Sequence, residues 1–170
     1  GGAFSLFVQY VPVPPNDNFA DRMAVTNTTT TNVFFVTGSN LGATKEPGEF
    51  WWGSATVWWT WTAPANGEML LELKTSGPGA MTFPWLNLYS GTTVSNLTRL
   101  VPYPEWGAGT QYLNAGRYII TAGTTYSIWV ANRGSVQGLY TLRGTFWPPP
   151  ANDHFTNRVT LTNTPFLFDY

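Results

Sequence analysis

The chain has 170 residues, a net charge of −1 and no cysteine; 10% of its residues are charged and 16% are aromatic. A phosphate-binding surface needs clustered lysine and arginine, so the charge pattern excludes nucleic acid as a partner. The lack of cysteine excludes disulfides and thiolate metal sites. No apolar run reaches the ~20 residues of a spanning helix, so the sequence predicts no membrane span in this segment. Valine, threonine and aromatic residues dominate, which predicts an all-β fold.

The first predicted element is a strand over residues 4–11, in which Phe4, Leu6, Val8 and Tyr10 share one face. The strand and the linker after it occur twice, because residues 1–28 align with 137–164 without a gap, at an offset of 136. The identical pairs include Pro14/Pro150, Asn16/Asn152, Asp17/Asp153, Phe19/Phe155 and Arg22/Arg158. A period of this length is a whole domain, since solenoid units repeat every ~20–50 residues.

The repeat predicts a tandem array of domains. We expect one complete β-sandwich at residues 13–148. Residues 1–12 are interpreted as the last strand of the preceding repeat or as a donor strand, and 149–170 as the start of the next repeat. The proline-rich linkers that join these parts are expected to be stiff, which suits an array that holds a fixed pitch.

Between the linkers, short predicted strands alternate with turn signals. They cover residues 22–27, 33–38, 55–63, 68–75, 85–89, 98–101, 111–113, 117–121, 126–131 and 139–147. Residues 64–67 predict a hairpin turn, and Gly116 another tight turn. This pattern predicts a two-sheet antiparallel β-sandwich that is jelly-roll-like. Its predicted core residues are Val57, Trp59, Trp61, Leu71, Leu73, Leu86, Leu88, Ile128 and Val130.

Five stretches resemble, in order, the bacterial pre-peptidase C-terminal domain superfamily, in the version found as tandem modules of large secreted proteins. They run from PPNDNFADRMAV to AGTTYSIWVANRG and cover residues 14–25, 36–49, 54–73, 86–101 and 122–134. The resemblance implies a compact β-sandwich that serves outside the cell as an accessory or spacer module without catalysis. Residues 83–85 and 101–106 depart from the family by losing acidic residues and gaining aromatic ones. These departures argue against family-type calcium binding and favour apolar contact surface.

Three carboxylates are candidate Ca²⁺ ligands. Glu46 and Glu49 flank a Pro-Gly pair in a loop, and Asp17 lies in the repeated segment. Carboxylate and carbonyl oxygens are the ligands that Ca²⁺ prefers. In the alternative interpretation, Asp17 caps a turn and the glutamates form salt bridges with Lys45 or Arg22. Apart from this candidate Ca²⁺ site, the sequence predicts no cofactor.

Catalytic chemistry has little support in the sequence. The single histidine, His154, aligns with Asn18 in the first copy of the repeated segment, so a general base would be replaced by an amide. The interpretation is that His154 is structural and that the chain is not an enzyme.

The aromatic side chains are the predicted interface. Trp51, Trp52, Trp58 and Trp106 are expected to be exposed, where they either stack on sugar rings or pack on a neighbouring domain. The scarcity of charge favours packing. The predicted interface residues are Phe4, Leu6, Tyr10, Trp51, Trp52, Trp58, Trp106, Trp147 and Phe155.

Together these features predict a non-catalytic structural module of an extracellular or cell-surface filament, stalk or fibre, assembled head to tail from copies of itself or adjacent repeats. The alternative is an accessory module of a secreted bacterial hydrolase that binds polysaccharide or protein.

Overall fold

The computed structural model describes residues 2–8, 10–27, 32–50, 53–102, 113–133 and 136–160. They form nine strands: β1 Met23–Ala24, β2 Val33–Ser39, β3 Thr56–Thr62, β4 Gly67–Lys74, β5 Pro84–Ser90, β6 Thr98–Arg99, β7 Leu113–Ile120, β8 Thr125–Asn132 and β9 Leu139–Trp147. Short 3-10 turns lie at Phe19–Asp21, Val94–Asn96 and Phe155–Asn157. Within these residues there is no α-helix, and hence no helix that could cross a membrane.

The strands form two sheets that pack face to face. The five-stranded sheet has the order β1-β3-β8-β5-β6, and the four-stranded sheet has the order β2-β9-β4-β7. Every pair is antiparallel except β1 with β3. From β2 onward, each connection crosses between the sheets except the one that joins β5 to β6. This is the strand order of a jelly roll, and it confirms the predicted fold class.

Period-2 alternation puts one apolar row of each strand between the sheets. All nine predicted core residues are buried there, so that prediction is confirmed. The core also contains a polar pair: the indole N–H of Trp59 donates to the Tyr140 hydroxyl at 3.0 Å. Burial raises the pKa of Tyr140 to about 12, so its hydroxyl keeps its proton at neutral pH.

Gly144 is a point of very close packing in the core. It faces inward from β9, and a Cβ atom built on it would lie 2.2 Å from the ring of Phe34 on the neighbouring strand β2. Only glycine leaves room for this ring. The place of Phe34 in the core therefore depends on the residue at position 144.

Two predicted turns have a different role in the structure. Residues 64–67 join β3 to β4, which lie in opposite sheets, so the turn crosses the sandwich and closes no hairpin. Gly116 lies within β7, which runs on through it from Leu113 to Ile120. The predicted hairpin at 64–67 and the predicted tight turn at Gly116 are therefore wrong, because the hydrogen-bonding partner of each strand depends on distant residues.

The strand predicted at residues 4–11 is absent from the structure. Residues 4–8, 10 and 11 are unpaired, and Phe4 is 90% exposed. A strand exists only by hydrogen bonding to a neighbour, and no described strand pairs with this segment. The predicted counterpart at 140–147 is confirmed as β9, which lies between β2 and β4.

Candidate docking site

The outer face of the five-stranded sheet carries a second aromatic cluster. Trp58 on β3 and Trp129 on β8 are paired across the strands and point away from the main core. Phe19, Tyr89 and Ala131 complete the cluster, with Trp85, Val94 and Leu97 packed at its margin. Trp58 is only 1% exposed, so the prediction that it is an exposed ring is wrong. A polar outer face is the usual case for an antiparallel sheet, but here chain segments cover the face.

The cover over Trp58 is residues 14–22, called here the first turn segment. Asn16 holds it to β3 through two hydrogen bonds: its carbonyl accepts from the Trp58 backbone N–H at 2.8 Å, and its side-chain amide donates to the Trp58 carbonyl at 2.9 Å. Within the segment, the N–H of Asp17 donates to the Pro14 carbonyl at 3.1 Å. Asn16 and Asp17 are both buried.

Phe19 is the anchor of this segment. Its ring meets the Trp58 ring edge-on, with 5.1 Å between centroids, and is 5% exposed. The guanidinium of Arg22 lies over the Phe19 ring at 3.8 Å from its centroid and donates to the Phe19 carbonyl. The backbone N–H of Phe19 donates to the Glu46 carboxylate. The Phe19 ring is thus held by an aromatic ring and a cation, and its backbone N–H by a carboxylate.

The loop at residues 40–50 supplies the rest of the site. Asp17 accepts from the Thr44 backbone N–H at 2.6 Å and from the Thr44 hydroxyl at 2.7 Å. Glu49 accepts from the indole N–H of Trp58 at 2.9 Å and from the hydroxyl of Thr56. We call the surface formed by Trp58, Thr44 and Glu46 the dock, because all three contact the first turn segment.

The three candidate calcium ligands, Asp17, Glu46 and Glu49, thus lie in one region, but each accepts from protein donors. Within the described ranges no three acidic or histidine side chains are grouped so as to hold a metal ion. Arg22 contacts Phe19 and makes no salt bridge with either glutamate. Calcium binding stays a prediction.

Glu49 is the carboxylate whose ionisation the site perturbs most clearly. Burial raises the pKa of Glu49 above its ordinary value of 4.5, and the charge of Glu46 adds to the increase. Hydrogen bonds from Thr56 and Trp58, and the nearby indole N–H of Trp129, oppose it. Burial has the largest effect, so the ionised form of this carboxylate lowers the free energy of unfolding relative to the protonated form.

Residues 150–158, the second turn segment, repeat the local geometry of the first. Asp153 N–H donates to the Pro150 carbonyl at 3.0 Å, and Asn157 N–H donates to the His154 carbonyl at 2.8 Å. Arg158 lies over the ring of Phe155 at 4.4 Å and donates to the Phe155 carbonyl. Yet this segment has no dock, and Phe155 is 79% exposed.

The residues that are identical in the two turn segments are the ones that are buried or half-buried in the first turn segment. Five positions are identical, and in the first segment all five are buried or half-buried: Pro14/Pro150, Asn16/Asn152, Asp17/Asp153, Phe19/Phe155 and Arg22/Arg158. Four positions differ, and in the first segment all four are exposed: Pro15/Ala151, Asn18/His154, Ala20/Thr156 and Asp21/Asn157. The second segment therefore keeps the complete set of docking residues. His154 falls among the exposed positions.

The remaining predicted interface residues fall into three groups. Phe4, Leu6 and Tyr10 are strongly exposed. Trp147, at the end of β9, is 42% exposed, and the guanidinium of Arg117 lies 5.2 Å from its ring centroid. Trp51, Trp52 and Trp106 lie outside the described residues. Sequence reasoning missed Trp129 and Tyr89; both lie on strands that are buried on two faces, and an aromatic residue on the outward face of each was the available signal.

A scan against protein-family models and a search of curated proteins gave no match. Among solved structures, the chain is similar to a periplasmic inhibitor of g-type lysozyme from Aeromonas hydrophila, with 16% identity, a TM-score of 0.48, and coverage of 74% of this chain and 96% of the inhibitor. It is also similar to the pre-peptidase C-terminal domain of a collagenase from Bacillus anthracis, with 14% identity, a TM-score of 0.44, and coverage of 81% and 100%.

A third similar structure is a mitogen from Yersinia pseudotuberculosis, with 13% identity, a TM-score of 0.44, and coverage of 72% of this chain and 92% of the mitogen. These likenesses concern the fold alone. Membership of the pre-peptidase C-terminal superfamily stays a prediction.

Proposed function

We propose that this chain is a non-catalytic structural module of an extracellular filament, stalk or fibre, in which related sandwiches follow one another head to tail. The observation that carries the proposal is the repeated segment: the two turn segments share one local geometry and one set of docking residues, but only the first is docked. A second sandwich of the same kind would supply what the second segment lacks.

Residues 4–11 support the same proposal from the other side. By the offset of 136, Phe4, Leu6 and Tyr10 correspond to Tyr140, Leu142 and Phe146, which face the core from β9. In the structure the first three side chains are exposed. Burying one such side chain contributes about 1.5–3 kcal/mol, so this face favours a place between two sheets.

Two positions favour a related but non-identical repeat as the sandwich that would take up residues 4–11. Val8 corresponds to Gly144, where any Cβ atom would meet the Phe34 ring. Phe7 corresponds to Arg143, which pairs with Glu72 at 3.5 Å on the outer face of the four-stranded sheet. Residues 4–11 therefore cannot replace β9 of an identical copy without displacing Phe34, which favours an array of non-identical repeats over exchange of strands between identical subunits.

The alternative function, a module that binds polysaccharide, requires exposed rings in a row. In the part of the chain that the structure describes, Trp147 is the tryptophan with the largest exposure, and Trp58, Trp59, Trp61 and Trp129 are buried. The structural role is therefore the one that we propose.

Electron microscopy of the native material, with an antibody raised against this chain, tests the proposed function. We expect labelled fibres or stalks with the label at regular intervals along each one. Label confined to particles that show no fibre, together with retention of the chain on a polysaccharide column, would overturn the proposal in favour of the binding module.

A further inference from the structure

We propose that the dock is a peptide-binding site, and that its ligand is the second turn segment, residues 150–158, presented to the dock of a second copy of this sandwich. The inference deepens the proposed function and rests on it in one respect, namely that sandwiches meet end to end. It names a contact that such sandwiches can make when the first turn segment is released from the dock.

The first argument is the pattern of identity between the two turn segments. All the side chains that the dock recognises in the first segment are present in the second, in the same order and spacing. Asn152 and Asp153 can offer β3 and Thr44 the same hydrogen bonds as Asn16 and Asp17, and Phe155 can offer Trp58 the same ring. Differences occur only where the docked segment faces solvent. The contact between Phe155 and Arg158 is local, but the side chains of Asn152 and Asp153 have no local hydrogen bond among those described for this segment.

The second argument is that the second turn segment is already in its docked shape. Its 3-10 turn begins after His154, at φ −84° and ψ 139°, and the first begins after Asn18, at φ −87° and ψ 149°. The Arg158 guanidinium lies 4.4 Å from the centroid of the Phe155 ring, as that of Arg22 lies 3.8 Å from the centroid of Phe19, and the Phe155 ring is exposed. A ligand that is preorganised in this way loses little conformational entropy on binding.

The third argument concerns competition. In each copy the dock is occupied by that copy's own first turn segment. Because this segment belongs to the same chain, its effective concentration at the dock is high. A second turn segment from another molecule offers the same contacts but lacks this advantage. We therefore expect docking between molecules to be weak in the unaltered chain and to become strong when the first segment is weakened by Phe19→Ala.

The test uses the full chain with two introduced cysteines, because the chain has none of its own. Lys45→Cys lies between the dock residues Thr44 and Glu46, and His154→Cys lies between Asp153 and Phe155, so neither change removes a docking side chain. The matched control replaces Lys45→Cys by Lys74→Cys on the four-stranded sheet. A flexible bismaleimide crosslinker is added, and products are separated by size under denaturing conditions.

In the Phe19→Ala background we expect covalent dimers and higher oligomers from the Lys45→Cys and His154→Cys pair. We expect at least a several-fold lower yield from the Lys74→Cys control, and a similar loss when Phe155→Ala is added. Equal yields from the two lysine positions, crosslinks confined to single molecules, or yields unaffected by Phe155→Ala would each overturn the proposal. If Phe19→Ala does not fold, Phe19→Leu keeps an apolar side chain and takes its place.

A synthetic peptide of residues 148–160 gives an independent measurement. We expect it to bind the Phe19→Ala protein and raise its melting temperature, and a peptide with Phe155→Ala to bind roughly 30-fold more weakly, as truncation of an aromatic anchor typically does. Equal binding of the two peptides would overturn the inference. If the peptide docks but the native material contains no fibres, this inference stands and the proposed function is overturned. If fibres are present but the peptide does not dock, the proposed function stands and this inference is overturned.

Discussion

The outer faces of the two sheets are built from the same kind of strand, but one is exposed to solvent and the other is buried. On the four-stranded sheet, Glu72 pairs with Arg143 at 3.5 Å, and Glu68 with Arg117 at 3.0 Å, in contact with solvent. On the five-stranded sheet, Trp58 and Trp129 lie at the corresponding central positions and are buried. The difference shows that the burial of an outer sheet face depends on whether other chain segments cross it. Here the first turn segment and the loop at 40–50 convert an outer face into a second core.

The largest expected effect is on Trp58. Trp58→Ala should reduce the free energy of unfolding by about 3–5 kcal/mol, because it removes a large buried ring, the ring contact of Phe19 and one hydrogen bond to Glu49. Urea denaturation followed by circular dichroism measures the change. The control on the other face is Arg143→Ala, where we expect a loss of no more than about 1 kcal/mol. Equal losses would mean that the two faces do not differ as described.

The next effect separates the two turn segments. Phe19→Ala should cost about 2–4 kcal/mol, somewhat less than a rigid core site, because the segment can relax. Phe155→Ala, in the same local turn, should change the stability of the single chain by no more than about 0.5 kcal/mol. Thermal melting at a protein concentration too low for chains to associate gives both values. A large effect of Phe155→Ala under these conditions would show that its turn is already packed within one molecule.

Asp17 should have a smaller effect. Its carboxylate accepts two hydrogen bonds from Thr44, and bonds to a charged group contribute about 1.5–3 kcal/mol. Asp17→Ala should therefore lower the free energy of unfolding by about 2 kcal/mol and increase hydrogen exchange at the Thr44 amide. Asp153→Ala is the matched control, and we expect it to leave exchange at Thr44 unchanged in dilute protein.

The smallest expected effect is at Glu49 and depends on pH. Because its folded pKa is raised above 4.5, the folded state binds the proton more tightly than the unfolded state, so this stabilisation is complete below 4.5 and is lost as pH rises through the raised value. Glu49→Gln should therefore melt slightly higher than the unaltered protein at pH 7. The gap should close as the pH falls toward 4.5. A gap that widens on acidification would contradict the direction of the shift.

The main core could be predicted from the sequence, because alternation along β3, β4, β5 and β8 is a local property. The repetition of residues 14–22 at 150–158 could also be recognised, because it follows from the alignment of the sequence with itself. The burial of Trp58 could not be predicted, since alternation separates two faces of a strand and does not tell whether a distant loop covers the outer one. Nor could the loss of the strand at 4–11 be predicted, because pairing depends on a partner strand.

The two ends of the sandwich are attached to the chain with very different mechanical strength. β9 is held along its length by β2 and β4, so a pull at Trp147 must shear two hydrogen-bonded ladders together. A pull at Pro14 meets the dock and the two-residue strand β1, whose contacts can be peeled one after another. Under tension we expect the dock to open first and to release the roughly 20 residues before β2, which extend to about 70 Å. Such a module would lengthen under load while its core stayed folded, and would re-dock when the load was removed.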